Sequence, residues 1–315
     1  MRLLYSSALL GLAWFAAINL IASGAAWAAS RVLLGRGRMR TPSALAVLRI
    51  APAVVSGIVV AAIFLPAHWL VEPDVTDESF GVVIAALAAS GGLLLLRSAS
   101  RTVSVVAATR SLGRAVKAAS GDGSPAFHVL PGVTGVSLAG VVRPQVLVGP
   151  EVPSALTADE LQAAIDHEAA HRRWRDNLTR CLMYCAPDVF GWSAAARQVE
   201  DTWRAEAEYR ADAEAAAGDE SRAIHLASAL VKVARLNERA AGSRTFPVWS
   251  TFNEARLLEA RVRLLLVGPR PIVARARRTA GVFVAALACG GAAAWVSGAP
   301  YLLHEATEAL IAILP

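Results

Sequence analysis

The residues best suited to do chemistry are His167-Glu168-Ala169-Ala170-His171. Two histidines four apart share one face of a helix, so both imidazoles can grip a single ion. The glutamate between them is then aimed at a water on that ion. Zinc lowers the pKa of such a water to about 7, giving hydroxide near neutral pH. Glu168 can take the water's proton and later hand it to a leaving amine. The chemistry expected is zinc-assisted hydrolysis of an amide. A third ligand is expected from a downstream helix, where Ala207-Glu208-Tyr209-Arg210-Ala211-Asp212 offers Glu208. Asp212, one turn later, is placed to orient a ligand histidine through its other ring nitrogen. Glu206 is the competing ligand; Glu208 is preferred for its Glu-x-x-x-Asp spacing. With these three ligands one tetrahedral position stays open, the catalytic and not the structural arrangement.

Plainer readings exist for each residue. Helices rich in Glu and His produce the His-Glu-x-x-His pattern by chance. Glu208 alone reads as a solvated helix position with Arg204 and Arg210 as ion partners. Of the six histidines, four lie outside the motif. His68 and His304 fall at the ends of apolar runs and read as interfacial. His225 reads as a structural histidine, with a role in a transition state as the rival. His128 carries no functional reading. The three cysteines, Cys181, Cys185 and Cys289, form no disulfide framework and suit a reducing compartment. Cys181 and Cys185, one turn apart, read as packing before half a metal site. Asn177-Leu178-Thr179 matches a glycosylation acceptor but falls at a helix junction expected to be cytoplasmic.

The elements that must position the motif are legible around it. Thr157 and Glu160 form a capping box that starts a helix near Ala158. That helix carries Leu161, Ala164 and Ile165, then the motif, and is expected to end near Asp176-Asn177. A second helix includes Cys181–Cys185 and breaks at Pro187. A third runs from near Ser193 to Gly218 and carries Glu208 and Asp212. Two more are expected at Ser221–Ala240 and Glu254–Leu266. Upstream, Val129–Val148 is rich in β-branched and aliphatic residues and reads as strands. Pro144 confines its strand to an edge, a start or a bulge. An extended substrate is expected to pair with an edge strand near Val136–Val148.

The chain around this domain is too apolar for an ordinary soluble protein: 315 residues, 55% hydrophobic, with a mean hydropathy of +0.46. Four stretches approach the roughly 20 apolar residues a membrane helix needs: Leu3–Ala29, Ile50–Val71, Phe80–Leu96 and Thr279–Leu303. The glycines Gly91, Gly92, Gly290 and Gly291 allow close helix packing. Ala26-Trp27-Ala28 resembles a signal-peptidase site. Against cleavage, the run is long, and Arg31, Arg36, Arg38 and Arg40 follow it while only Arg2 precedes it. Positive charge marks the cytoplasmic flank. The N-terminus and the acidic loop of Glu72, Asp74, Asp77 and Glu78 are then outside. Arg97, Arg101, Arg110, Arg114 and Lys117, and later Arg270, Arg275, Arg277 and Arg278, are inside. The expected plan is residues 1–97 as three spans, 98–278 as a cytoplasmic domain, 279–303 as a fourth span and 304–315 as a short outer tail. The net charge of +6 belongs to these flanks; no reader motif or basic groove points to direct nucleic-acid binding.

Several stretches together resemble the membrane metallopeptidases of the BlaR/MecR type, β-lactam sensor-transducers and their relatives. They are Gly135–Pro150, Leu156–Leu161, His167–Asn177, Phe190-Gly191-Trp192, Glu208 with Asp212, and Leu258–Leu266 with Arg261-Val262. The resemblance covers roughly residues 132–266 and the three-then-one arrangement of spans. It implies an α-helical integral membrane protein with an inserted α+β gluzincin-like zinc protease domain facing the cytoplasm. It departs from the family at Ala211, where a Cys is frequent. The sensors carry a penicillin-binding domain after the fourth span, and this sequence ends at Pro315, so direct covalent sensing of β-lactams is not expected.

The function expected is a membrane-embedded zinc endopeptidase that cleaves a protein or peptide substrate in the cytoplasm, by analogy a winged-helix repressor. Its partners are that substrate and the bilayer of the cell membrane. Two alternatives belong beside it: a quality-control protease of the HtpX type, to which Glu208-Tyr209-Arg210-Ala211-Asp212 is more weakly similar, and a catalytically silent signalling scaffold. Intact ligands and an intact Glu168 disfavour the scaffold.

Overall fold

The computed structural model describes residues 2–35, 41–71, 81–119, 126–239, 250–251, 257–268, 285, 289–290, 293–295 and 297–313. The helices are α1 (Arg2–Gly35), α2 (Pro42–Ile58), α3 (Leu65–Val71), α4 (Val82–Ala119), α5 (Val152–Ala155), α6 (Ala158–Trp174), α7 (Asp176–Cys185), α8 (Ala194–Ala216), α9 (Glu220–Arg239), α10 (Leu258–Val267) and α11 (Ala299–Ile313). A π-helical stretch, Val59–Phe64, joins α2 to α3. The strands are β1 (His128–Val129), β2 (Val136–Ala139), β3 (Gln145–Val148) and β4 (Ser250–Thr251). The chain forms two compact units: residues 1–100, 186–202 and 275–315, and residues 101–185 with 203–274.

In the second unit the strands order as β1-β3-β2-β4. β1 runs parallel to β3, while β2 is antiparallel to both β3 and β4. Pro144 stands just before β3, a position that needs no ladder N–H. Val136, Leu138, Val146 and Val148 pack into one core with α6 and α9. The α9 residues Ala223, Leu226, Ala227, Leu230 and Val233 follow the three-and-four spacing of a helix face and supply the opposite wall. The order corrects the expected substrate edge. β2 and β3 are interior strands, because β4 takes the far side of β2 at Ser137 and Leu138; the edges are β1 and β4.

In the first unit three helical segments, Leu4–Gly35, Pro42–Leu70 and Val82–Ala118, are long and apolar enough to cross a membrane. Leu10, Ala13, Phe64, Ile84 and Ala88 form their common core. Ile21, Leu70, Val82 and Leu93 stay exposed, as side chains facing lipid do. The expected fourth span, 279–303, lies largely outside the described residues, as do the flanking charges at 36–40, 72–80 and 269–284. Helix α11 continues past Leu303 through the expected tail. Leu303 and Ile311 pack on the span core, and Trp14 Nε1 donates to Thr307 Oγ1 at 3.0 Å.

Arg49 is buried in the otherwise apolar α2. Its Nη1 donates to Asp188 at 2.8 Å and its Nε to Glu200 at 2.7 Å. Asn19, also buried, donates to Pro187 O and accepts from Val189 N, each at 3.0 Å. Ser23 donates to Asp188 at 2.7 Å. A charge in an apolar helix is tolerated when paired, and this pairing explains why residues 186–202 group with the spans when sequence assigned them to the soluble domain.

Gly91 lies against the backbone of α1: a Cβ there would lie 2.2 Å from Leu12 O. At Gly92 the nearest atom is a flexible Leu12 methyl at 4.0 Å. Gly91→Ala is therefore expected to destabilise the protein in detergent by about 1–3 kcal/mol, the usual cost of overpacking, and Gly92→Ala to leave it unchanged. Thermal unfolding of the two variants checks this; equal melting curves would show that the helices do not approach through Gly91.

Candidate metal centre

Helix α6 begins at the expected capping box. Thr157 N donates to Glu160 Oε2 at 2.8 Å, and Glu160 N to Thr157 Oγ1 at 3.3 Å. Glu160 also accepts from Ser228 at 2.6 Å and Lys232 at 2.7 Å, which ties α6 to α9. Burial would raise its carboxyl, but these bonds win and hold it at about 2. From this start His167, Glu168 and His171 turn inward, all three buried. The helix stops at Trp174 and not at Asp176-Asn177: Arg175 takes a left-handed conformation at φ 56°, and Asp176 opens α7.

His167 and His171 meet Glu208 of α8, itself buried. The two Nε2 atoms are 3.1 Å apart. Glu208 Oε2 lies 3.3 Å from His167 Nε2, and Oε1 lies 3.5 Å from His171 Nε2. A tetrahedral ion with bonds of about 2.0–2.1 Å holds its ligand atoms about 3.4 Å apart. The three side chains therefore fit one ion, and the donor set of two imidazoles and a carboxylate suits a divalent transition metal. Glu206 is not part of this cluster, nor are His128, His225 or the cysteines.

Each imidazole is fixed through its other nitrogen, as metal-ligating histidines are. His167 Nδ1 lies 3.0 Å from Asp212 Oδ1. His171 Nδ1 donates to Asp176 Oδ2 at 2.7 Å. Sequence reading missed Asp176; its signal was an acid five residues past His171, just beyond the helix stop. It also missed Arg261 as a site residue. Arg261 is buried, grips Asp212 with Nε at 2.8 Å and Nη2 at 2.7 Å, and places Nη1 2.9 Å from Glu208 Oε2. Its signal was a charge on the apolar face of Leu258, Val262 and Leu265. Arg210 completes the cluster, donating to the second oxygen of Asp176 at 2.6 Å.

The electrostatics follow from burial and pairing. Burial would raise the carboxyls of Glu208, Asp212 and Asp176, but Arg261 holds the first two down and His171 and Arg210 the third. Burial would lower His171; the Glu208 charge and the Asp176 bond overcome it and raise it to about 10. His167 is also raised, by Asp212 and Glu208. The site draws positive charge toward its centre. Glu168 differs. Both its oxygens are buried without a hydrogen-bond partner among the described residues, and burial pushes its carboxyl up to about 7. It is an acceptor held ready beside the cluster.

Compared with protein-family models, curated proteins and solved structures, the chain matches none.

Arg261→Met leaves Glu208 and Asp212 buried without their counter-charge. It is expected to cost about 3–5 kcal/mol, the usual effect of removing one partner of a buried ion pair. Arg261→Lys should recover part, because an ammonium cannot reproduce the fork. Chemical denaturation of metal-stripped protein measures this; wild-type stability for the methionine variant would show that Arg261 carries no structural charge.

Proposed function

We propose that this protein is an integral-membrane, zinc-dependent endopeptidase whose site is His167, His171 and Glu208 as ligands and Glu168 as general base. The observation that supports it is the set of 3.1, 3.3 and 3.5 Å separations among the three ligand groups, beside a buried carboxylate with no hydrogen-bond partner among the described residues. Zinc, when bound, supplies a Lewis acid that polarises the scissile carbonyl and acidifies a water. Glu168 takes the water's proton and delivers it to the amine nitrogen as the C–N bond breaks. A cation beside Glu168 draws its carboxyl down from about 7, into the ionised state a base requires at neutral pH. Asp212 and Asp176 keep both Nε2 atoms turned to the ion, and Arg261 steadies Glu208.

The resemblance to the BlaR/MecR-type metallopeptidases supports a substrate that is a cytoplasmic regulator, such as a winged-helix repressor. The arginines after the first and third spans support a cytoplasmic protease domain and an outer N-terminus. Reporter fusions at Pro153 are expected to read as cytoplasmic and fusions at Asp77 as exterior. An exterior reading at Pro153 would reverse the topology and move the substrate outside.

Purified protein is expected to hold about one zinc per chain. His167→Ala, His171→Ala and Glu208→Ala should lose most of it, and Glu206→Ala should keep it. Zinc uptake displaces protons from His171, held at about 10, and from His167, also raised, so affinity should rise with pH. Glu168→Gln should keep the zinc and lose proteolysis by roughly 10²–10⁴-fold, the worth of general-base catalysis. Substrates trapped on this variant supply the assay, and self-cleavage supplies the first one. Equal activity of wild type and Glu168→Gln at equal zinc would sink the mechanism; trapped regulators that neither protein cleaves would favour the scaffold.

A further inference from the structure

A cavity of about 500 Å³ opens beside the metal centre, and His171 is part of its lining. One wall is the β2–β3 hairpin, with Leu138, Val141 and Pro144; the other is the end of α6 and the start of α7, with Leu178. The hairpin wall is fixed in place. Asn177, buried, donates to Leu138 O at 2.8 Å and to Gly140 O at 2.9 Å. The volume is that of a site for a small ligand or a few side chains.

Its charge is one-sided. Apart from His171, the ionisable side chains on its lining are Arg143, Arg172 and Arg175, with no carboxylate among them. Among the described residues these three guanidinium groups make no ion pair. Their neighbours on the same unit do: Arg173 with Glu214, Arg210 with Asp176 and Arg222 with Asp166. Arg172 and Arg175 have a local reason to be where they are, since cations complement the C-terminal end of α6. Arg143 has none. It comes from the hairpin turn, on a different element, and converges on the same cavity.

We propose that this cavity reads an acidic side chain on the protein segment cut at the metal centre, with Arg143, Arg172 and Arg175 as its specificity-determining cations. The inference rests on the peptidase reading for its occupant being a polypeptide. An Asp or Glu lays its apolar stem against Val141 and Leu178 and presents its carboxylate to planar guanidinium forks, the geometry arginine matches best. A Lys or Arg on the same segment meets like charge and is rejected. Placement beside His171 puts the recognised residue close to the bond that is cut.

The test uses the full chain in detergent, loaded with zinc and carrying Glu168→Gln so that peptide is bound and not consumed. Labelled short peptides rich in Glu are compared with counterparts carrying Gln at the same positions, by fluorescence anisotropy. The Glu peptides are expected to bind about tenfold tighter, the size of one charge-assisted hydrogen bond. The combined Arg143→Gln, Arg172→Gln, Arg175→Gln variant should bring the ratio near one while keeping its zinc. Arg173→Gln, which removes an arginine of α6 outside the cavity, should leave the ratio intact. Equal binding of Glu and Gln peptides, or a ratio that survives the triple variant, overturns the proposal. So does an arginine-dependent association with phosphatidylglycerol vesicles that comes with no Glu-over-Gln preference, which would assign these cations to a lipid surface. Cleavage of the same peptides by the parent sequence is followed in parallel: its absence counts against the peptidase reading, while loss of the ratio counts against acid recognition.

Discussion

Glu208, Asp212 and Asp176 are carboxylates almost wholly removed from water, and a buried carboxylate is tolerated only with a counter-charge and hydrogen bonds. That requirement organises the second unit. Arg261 from α10 answers Glu208 and Asp212 from α8, while His171 from α6 and Arg210 from α8 answer Asp176 at the start of α7. No one of these elements satisfies its charges alone. The apolar core of β2, β3, α6 and α9 supplies the burial; the charges decide the rotation of each helix within it, because a small turn of α8 or α10 would leave a carboxylate unpaired.

The same pairing would make protons and a metal ion alternatives at the centre. Each imidazole is anchored at Nδ1, so the two Nε2 atoms have to face one another at 3.1 Å. The carboxylates around them favour positive charge there, which is why His171 is raised to about 10 against its burial. A divalent cation would meet that field with two positive charges at one point, and both nitrogens are placed where they could hold it. Glu168 lies outside this exchange. Among the described residues no arginine is paired with it and its burial works unopposed by hydrogen bonds, so its basicity would respond to any cation the neighbouring groups came to hold.

How much of this the sequence showed depended on the range of the interaction. The capping box, the His-Glu-x-x-His face and Pro144 at a strand start are local. Spacing alone places them, and the structure has them where they were expected. That Glu208 stands with the two histidines was also legible, because Asp212 a turn later gave the spacing a meaning. The sheet order was not: β4 is two residues long and pairs across more than a hundred positions of chain, so no local pattern announces that it covers β2. Asp176 was hidden by a helix end misplaced by two residues, since the left-handed Arg175 is not a glycine and gives no stop signal. Arg261 appeared only within a family resemblance, and its partners lie 49 and 53 residues away.

Two arginines that looked out of place turn out to obey one rule. Arg49 interrupts the apolar α2, and Arg261 interrupts the apolar face of α10; both are buried. An isolated arginine on such a face is costly enough that it persists only where acids are brought to it. Arg49 meets Asp188 and Glu200, and Arg261 meets Glu208 and Asp212. Three of those four acids lie on α8. Residues 194–216 therefore read as more than the carrier of a third ligand. Glu200 answers an arginine of the first unit, and Glu208 and Asp212 answer an arginine of the second.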